Sequence, residues 1–234
     1  MIREAIVLAG GLGTRLKSAV PDLPKCLAPV AGKPFLEYLI RDAKKQGIQR
    51  FIFALGYKTK LVEDFIRNLL PETECLFSVE REPLGTGGAI HLACTQVNET
   101  DALVMNADTF FGVNLRLLAD FHGEHQADCT LSLKPMKRFD RYGVVSQNAQ
   151  HLITGFSEKK HMESGLINGG IYALNTERFL KKNFPPVFSL EKDYLEKEYR
   201  NGKIYGLVSD AYFIDIGIPE DYRRAQTELI QHIS

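Results

Sequence analysis

"IVLAGGLGTRLKSAVPDLPKCL", residues 6–27, decides how this chain is read. It opens as an apolar, β-branched run and breaks into Gly10, Gly11 and Gly13, then Thr14 and Arg15, with Lys25 ten residues beyond the arginine. A buried strand that ends in glycines presents backbone N–H groups with no Cβ in the way, and such groups hold anionic oxygens. The segment predicts a phosphate site after the first strand. A Walker loop would place lysine directly after its last glycine, followed by Ser or Thr, and no such triplet occurs. The dinucleotide fingerprint needs a third glycine where G-L-G-T-R-L carries Leu16. Neither standard phosphate loop fits.

Beyond this segment, "AIVLA", "RFIFAL", "CLFSV", "ALVMN" and "CTLSL" read as short buried strands. Between them Phe35, Leu36, Leu39, Ile40 and Ala43 fall on one helical face, as do Leu61, Val62, Phe65, Ile66 and Leu69. Strand–helix alternation predicts right-handed βαβ units and a Rossmann-like α/β fold, with a mixed, mostly parallel sheet flanked by helices. Ligands then sit beyond the carboxyl ends of the strands, where the glycine loop falls. After about residue 134 the pattern changes. "YGVVSQNAQHLITGFSEK" reads as two short strands around a polar turn and "NGGIYALN" as a third. Helices at 176–182 and 190–201, strands "KIYGLV" and "YFIDIG", and a terminal helix after Pro219 complete the chain. With no linker or repeat, the expectation is one domain over 1–234, its later part adding a small antiparallel layer.

Composition narrows the function. Of 234 residues, 44% are hydrophobic and 25% charged, and the 29 basic and 29 acidic side chains cancel. No global field draws the protein to nucleic acid or to an anionic membrane, so phosphate binding must be local. The four cysteines (Cys26, Cys75, Cys94, Cys129) form no C-x-x-C pair and read as reduced thiols. "MIREAIVLAGG" predicts a first strand rather than a signal segment, and nothing approaches transmembrane length; a cytoplasmic protein is expected. His122 and His125 in "DFHGEHQAD" read as the polar end of a helix rather than as metal ligands. Cys26, beside Lys25, is a candidate for a lowered thiol pKa.

The combination "LAGGLGTRL…PKCL" resembles the signature of sugar-1-phosphate nucleotidyltransferases, and the resemblance extends over almost the whole chain. "EPLGTGGA" (82–89) is similar to the family's second glycine segment, and "NAD" to its metal-carboxylate turn. "FSEK" (156–159), "NGGIY" (168–172) and "FIDIGIP" (213–219) resemble its later sugar and metal motifs. Ala107 stands where the family commonly has glycine, and Ile218 where it commonly has threonine. The resemblance implies the nucleotidyltransferase fold, with a nucleotide-binding half at about 1–134 and a sugar-binding half at about 135–234.

It also implies a reaction: a sugar 1-phosphate oxygen attacks the α-phosphorus of a nucleoside triphosphate and pyrophosphate leaves. The nucleophile is already an anion near neutral pH, so the site needs positioning and charge neutralisation more than a strong base. The resemblance gives the catalytic roles to Arg15 and Lys25, the arginine on the leaving phosphates and the lysine between the α-phosphate and the sugar phosphate. Leu8, Ala9, Gly10, Gly11, Gly13 and Thr14 would cradle the nucleotide, with Glu80, Pro83, Gly85, Thr86, Gly87 and Asn106 completing its site. Asp108 and Asp215, each ending a strand, would hold Mg²⁺. Gly143, Glu158, Lys159 and Asn168 would meet the sugar phosphate.

Base choice turns on Glu80. A carboxylate accepts side by side from N1–H and N2–H₂ of guanine, whereas uracil offers one such donor, so Glu80 favours GTP. "EREPLGTGGA" in a chain of this length resembles bacterial D-glycero-α-D-manno-heptose 1-phosphate guanylyltransferases, which implies a heptose phosphate. Mannose 1-phosphate with GTP, UTP-dependent uridylyl transfer, and a catalytically silent nucleotide-sugar sensor remain as alternatives. The expected partners are a nucleoside triphosphate and a sugar 1-phosphate, without nucleic acid or membrane, and a homo-oligomer is compatible with this reading.

Overall fold

Residues 1–11, 16 and 20–232 are described by a computed structural model of the protein. Gly13, Thr14 and Arg15 of the glycine loop lie outside the described residues. In chain order the elements are β1 (Glu4–Leu8), a 3₁₀ turn (Lys25–Leu27), β2 (Pro29–Val30), β3 (Lys33–Pro34), α1 (Phe35–Lys45), β4 (Arg50–Leu55), α2 (Thr59–Leu69), β5 (Glu74–Val79), α3 (Gly85–Cys94), β6 (Asp101–Asn106), β7 (Thr109–Phe111) and α4 (Leu115–Glu124). Then follow β8 (Cys129–Phe139), β9 (Val144–Gln147), β10 (Ile153–Ser157), β11 (Met162–Asn175), α5 (Thr176–Leu180), a π-helical turn (Leu190–Leu195), α6 (Glu196–Glu198), β12 (Ile204–Val208), β13 (Phe213–Asp215) and α7 (Pro219–Glu228).

Nine strands form one sheet, ordered β10-β9-β11-β6-β1-β4-β5, with β8 on β11 and β12 on β8. The βαβ expectation holds at its centre: β1 lies parallel to both β4 and β6, and β4 parallel to β5. The antiparallel part continues this sheet. β11 is 14 residues long and runs antiparallel to β6 with one stretch and to β8 and β9 with others. That length was invisible in the sequence, which shows β11 only through "NGGIYALN".

The period-2 pattern of the central strands sorts the core onto two faces. Ala5, Val7, Phe51, Phe53 and Leu55 face α1, α2 and α4, while Ile6, Ile52 and Ala54 face α3 and the segment after α5. All of these are buried, as expected for strands covered on both sides. Truncating one of them, such as Phe53, costs about 3–5 kcal/mol. On α1 the predicted face is buried throughout. On α2 only Val62 and Ile66 are, and Leu61 turns outward.

α3 opens on glycines that would ordinarily weaken a helix by about 1 kcal/mol each. Packing explains them. A Cβ on Gly87 would lie 2.2 Å from the Phe188 ring, and one on Gly88 would lie 2.9 Å from the Pro186 carbonyl oxygen. The helix therefore sits flush against the 186–195 stretch, which later forms one wall of the site.

Candidate active site

The carboxyl ends of β1, β4, β5 and β6 face the same edge of the sheet, and the candidate site is built there. β6 ends at Asn106, and Asp108 follows in the turn to β7. β13 pairs antiparallel with β7, setting Asp215 opposite Thr109, and the Ile216 N–H donates to the Asp108 carbonyl at 3.0 Å. This two-stranded ladder is what brings together two carboxylates from distant parts of the chain. Gly217 keeps the corner open, since a Cβ there would lie 2.8 Å from Asp215 Oδ1 and 3.2 Å from Lys25 Nζ.

Lys25 reaches this pair from the 3₁₀ turn, which Cys26 and Leu27 anchor by burial. Its ammonium donates to Asp108 Oδ2 at 2.5 Å and lies 3.5 Å from Asp215 Oδ1. Burial, reinforced by the Asp108 charge, raises the Asp215 pKa, while Lys25 and the Gly217 N–H oppose the rise. Two carboxylates converging on a cation form a hard-oxygen donor set, and here an ammonium is the cation they share. That set fits a divalent ion such as Mg²⁺, which takes one or two carboxylates and fills the rest of its shell with water and phosphate. No cluster of three or more His, Cys, Asp or Glu side chains that could cage a metal alone occurs among the described residues.

Beside the carboxylates opens a cavity of about 530 Å³. Gly143, Glu158 and Lys159 line one side of it, on the turn before β9 and just after β10. Gly143 is glycine for a local reason: a Cβ would lie 2.7 Å from the Ser157 carbonyl oxygen. Asn168 and Tyr172 of β11 also line the cavity, together with Asn106. The Asn168 amide is fixed at both ends, its Nδ2 donating to Tyr172 Oη at 2.7 Å and its Oδ1 accepting from Gly170 N at 3.0 Å. Burial, with the Glu191 charge beside it, pushes the Tyr172 phenol well above its ordinary pKa, so it keeps its proton.

Ser189, Glu191, Lys192 and Glu196, on and next to the π-helical turn, line a further side. Glu191 Oε2 accepts from Thr86 Oγ1 and from Ser189 Oγ, each at 2.9 Å, and Leu190 N donates to the same Thr86 hydroxyl at 2.9 Å. Thr86, read as a nucleotide residue, thus orients a carboxylate of the cavity. With these two donors on Oε2, Oε1 can accept from a ligand hydroxyl in the cavity. Arg141 and Tyr142 border the cavity beside Asp215. The Arg141 guanidinium is held by Asp221 Oδ2 at 2.6 Å, at the start of α7.

The residues expected to hold the nucleotide lie across the sheet edge. Gly10 and Gly11 follow β1, and the ladder runs past the strands: Ala9 N donates to the Ala54 carbonyl at 2.9 Å and Glu80 N to the Leu55 carbonyl at 3.0 Å. Glu80 Oε2 accepts from Leu84 N at 2.9 Å, which holds the carboxylate at the Gly10 strand end. Pro83 is exposed beside it, and Gly85 takes a φ of 74°, bringing its Cα against the Phe188 carbonyl. Leu8 and Ala9 are more enclosed, with the Leu8 carbonyl accepting from Ala107 N at 3.2 Å.

The structure therefore gathers Lys25, Asp108 and Asp215 at one point. It places Asn106, Gly143, Glu158, Lys159 and Asn168 around one cavity and sets Glu80 beside Gly10. Arg141, Ser189, Glu191, Lys192 and Glu196 are cavity residues that the sequence reading missed. Two side readings are corrected. His122 is buried at 2% exposure, bonded through Nδ1 to Thr130 Oγ1 at 2.9 Å, and is no polar helix end. Burial, with Asp108 nearby, pushes the Cys26 thiol up to about 12 rather than down.

Comparison with known proteins gives the chain a family. Residues 4–232 match the nucleotidyl transferase family, and the chain belongs to it. A D-glycero-alpha-D-manno-heptose 1-phosphate guanylyltransferase of Aneurinibacillus thermoaerophilus is 47% identical over 230 residues, covering 98% of this chain and 100% of that one. A protein of the same description from Campylobacter jejuni subsp. jejuni serotype O:2 is 43% identical over 94% of this chain and 96% of its own. The crystal structure of HddC from Yersinia pseudotuberculosis complexed with GMP-PN is similar at a TM-score of 0.88 and 35% identity, over 97% of this chain and all of that one.

Proposed function

We propose that the protein transfers a guanylyl group from GTP to D-glycero-α-D-manno-heptose 1-phosphate, releasing pyrophosphate and forming GDP-heptose for surface glycan synthesis. The similarity to heptose 1-phosphate guanylyltransferases over nearly the full chain supports the class and the sugar. The observation that carries the base is Glu80, a carboxylate held by Leu84 N–H against the strand end at Gly10, where a purine edge would lie.

In this reading the nucleotide lies along the loop after β1 with its guanine N1–H and N2–H₂ donating to Glu80. The sugar lies in the 530 Å³ cavity, its hydroxyls donating to Glu158 and Glu191 and exchanging hydrogen bonds with Asn168. Lys159 and Arg141 hold the sugar phosphate as cations. Lys25 stands between the two substrates, where an ammonium offsets charge on the phosphates as they are brought together. Asp108 and Asp215 would hold Mg²⁺, which when bound supplies positive charge to the triphosphate oxygens. Attack by the sugar phosphate on the α-phosphorus forms one P–O bond and breaks another, and pyrophosphate carries the leaving electron pair. No proton transfer is required of the protein. Cytoplasmic location belongs to the same reading; no helix among the described residues is long and apolar enough to cross a membrane.

Glu80→Gln tests the base assignment. It keeps size but turns one acceptor into a donor facing a donor, and a lost hydrogen bond to a charged group costs about 1.5–3 kcal/mol. The ratio of kcat/KM for GTP over UTP should fall by about tenfold or more. An unchanged ratio would remove Glu80 from base recognition.

A further inference from the structure

Gly56 follows β4 directly, and its φ lies outside the left-handed region that would itself call for glycine. What a Cβ there would meet first is the Glu80 side chain. The three atoms nearest a Cβ at position 56 all belong to Glu80: Oε1 at 2.4 Å, and Cδ and Cγ each at 3.2 Å. The Glu80 carboxylate also lies 3.2 Å from where a Cβ on Gly10 would stand. The surrounding backbone is pinned. Thr59 Oγ1 donates to the Gly56 carbonyl at 2.9 Å, and Glu80 N donates to the Leu55 carbonyl at 3.0 Å. A methyl group at position 56 therefore displaces the end of the Glu80 side chain, the movable partner, rather than the strand ends.

We propose that Gly56 is a base-selecting position: its bare Cα is the seat on which the Glu80 carboxylate rests while facing the guanine edge. The inference rests on the guanine pairing proposed above. Gly56 itself touches no substrate; it acts by positioning Glu80, whose second oxygen Leu84 N–H holds from the other side. The glycine loop after β1 and the carboxylate after β5 are thus coupled through the strand end between them.

The test is a double-mutant cycle on the full chain, with kcat/KM for GTP and UTP measured by pyrophosphate release. Gly56→Ala in the otherwise unchanged enzyme should lower the GTP value about tenfold, the scale of one charge-assisted hydrogen bond, and lower the UTP value less. In a Glu80→Ala background the same substitution should change the GTP value less than twofold, because no carboxylate remains to be displaced. Should Gly56→Ala lower the melting temperature, Glu80→Ala should restore it. A GTP-to-UTP ratio untouched by Gly56→Ala would overturn the proposal, as would equal losses of activity or stability in both backgrounds. Absence of a GTP preference in the unsubstituted enzyme would refute the guanine pairing itself, and that result is read before any substitution is made.

Discussion

Lys25 donates to Asp108 Oδ2 across 2.5 Å, although the two residues stand 83 positions apart in the chain. The contact joins the loop after β1 to the turn after β6, the two neighbouring strand ends at the middle of the sheet. In the proposed reaction the ammonium would exchange these carboxylates for phosphate, and the carboxylates would take a divalent ion in its place.

Asp108→Asn and Asp215→Asn should each lower turnover by about a hundredfold or more, since each removes one charge from a proposed two-carboxylate site. Circular dichroism and melting curves should remain those of a folded protein. Unchanged turnover at saturating Mg²⁺ would remove that residue from the metal site.

Lys25→Ala should reduce kcat more than it weakens binding of the triphosphate alone, because the lysine is proposed to act where the two substrates meet. Isothermal titration with nucleotide and steady-state kinetics separate the two effects. A variant with weak nucleotide binding and a normal kcat would make Lys25 a binding residue only.

The raised pKa of Asp215 has a consequence for stability. In the metal-free protein, burial and the Asp108 charge favour its protonated form over that in the unfolded chain. Its contribution is therefore most favourable below the unfolded pKa and is lost as pH rises through the folded one. Asp215→Asn should raise the melting temperature in chelator at pH 7, and the gain should shrink as the pH is lowered through the carboxylate range. A gain that persisted at low pH would contradict the assignment of this cost to ionisation.

Glu191→Gln should raise KM for the sugar phosphate about tenfold or more while leaving KM for the triphosphate close to its normal value, and Thr86→Val should do the same more weakly. Losing one hydrogen bond to a charged acceptor is worth about 1.5–3 kcal/mol, and loss of an orienting donor less. A change confined to the triphosphate would return Thr86 to the nucleotide side and take Glu191 with it.

The sequence was most informative where chemistry demands particular residues at strand ends. Asp108 and Asp215 stand out because each closes an apolar run, and Lys25 because it follows a glycine loop that is neither a Walker nor a dinucleotide loop. Glu191 does not stand out. It lies in "SLEKDYLEKE", which reads as a solvated helical face, and its hydroxyl partner Thr86 is 105 residues earlier. Arg141 was hidden for the same reason, as its partner Asp221 lies 80 residues on. His122 misled because a polar side chain on a helix looks solvated until Thr130 of β8 is seen packed against it. Gly85 and Gly87 of α3 read as ligand contacts from their motif, and the sequence could not show that Phe188 and Pro186 also lie against Gly87 and Gly88. Local pattern shows periodicity and strand ends; it does not show which distant residue a side chain will meet.

The central claim is the pairing of GTP with a heptose 1-phosphate in one site. Its most direct test is pyrophosphate release measured for GTP, ATP, UTP and CTP, each against D-glycero-α-D-manno-heptose 1-phosphate, mannose 1-phosphate and glucose 1-phosphate. The account predicts the highest kcat/KM for GTP with the heptose phosphate. A higher value for UTP, or for either hexose phosphate with GTP, would contradict it.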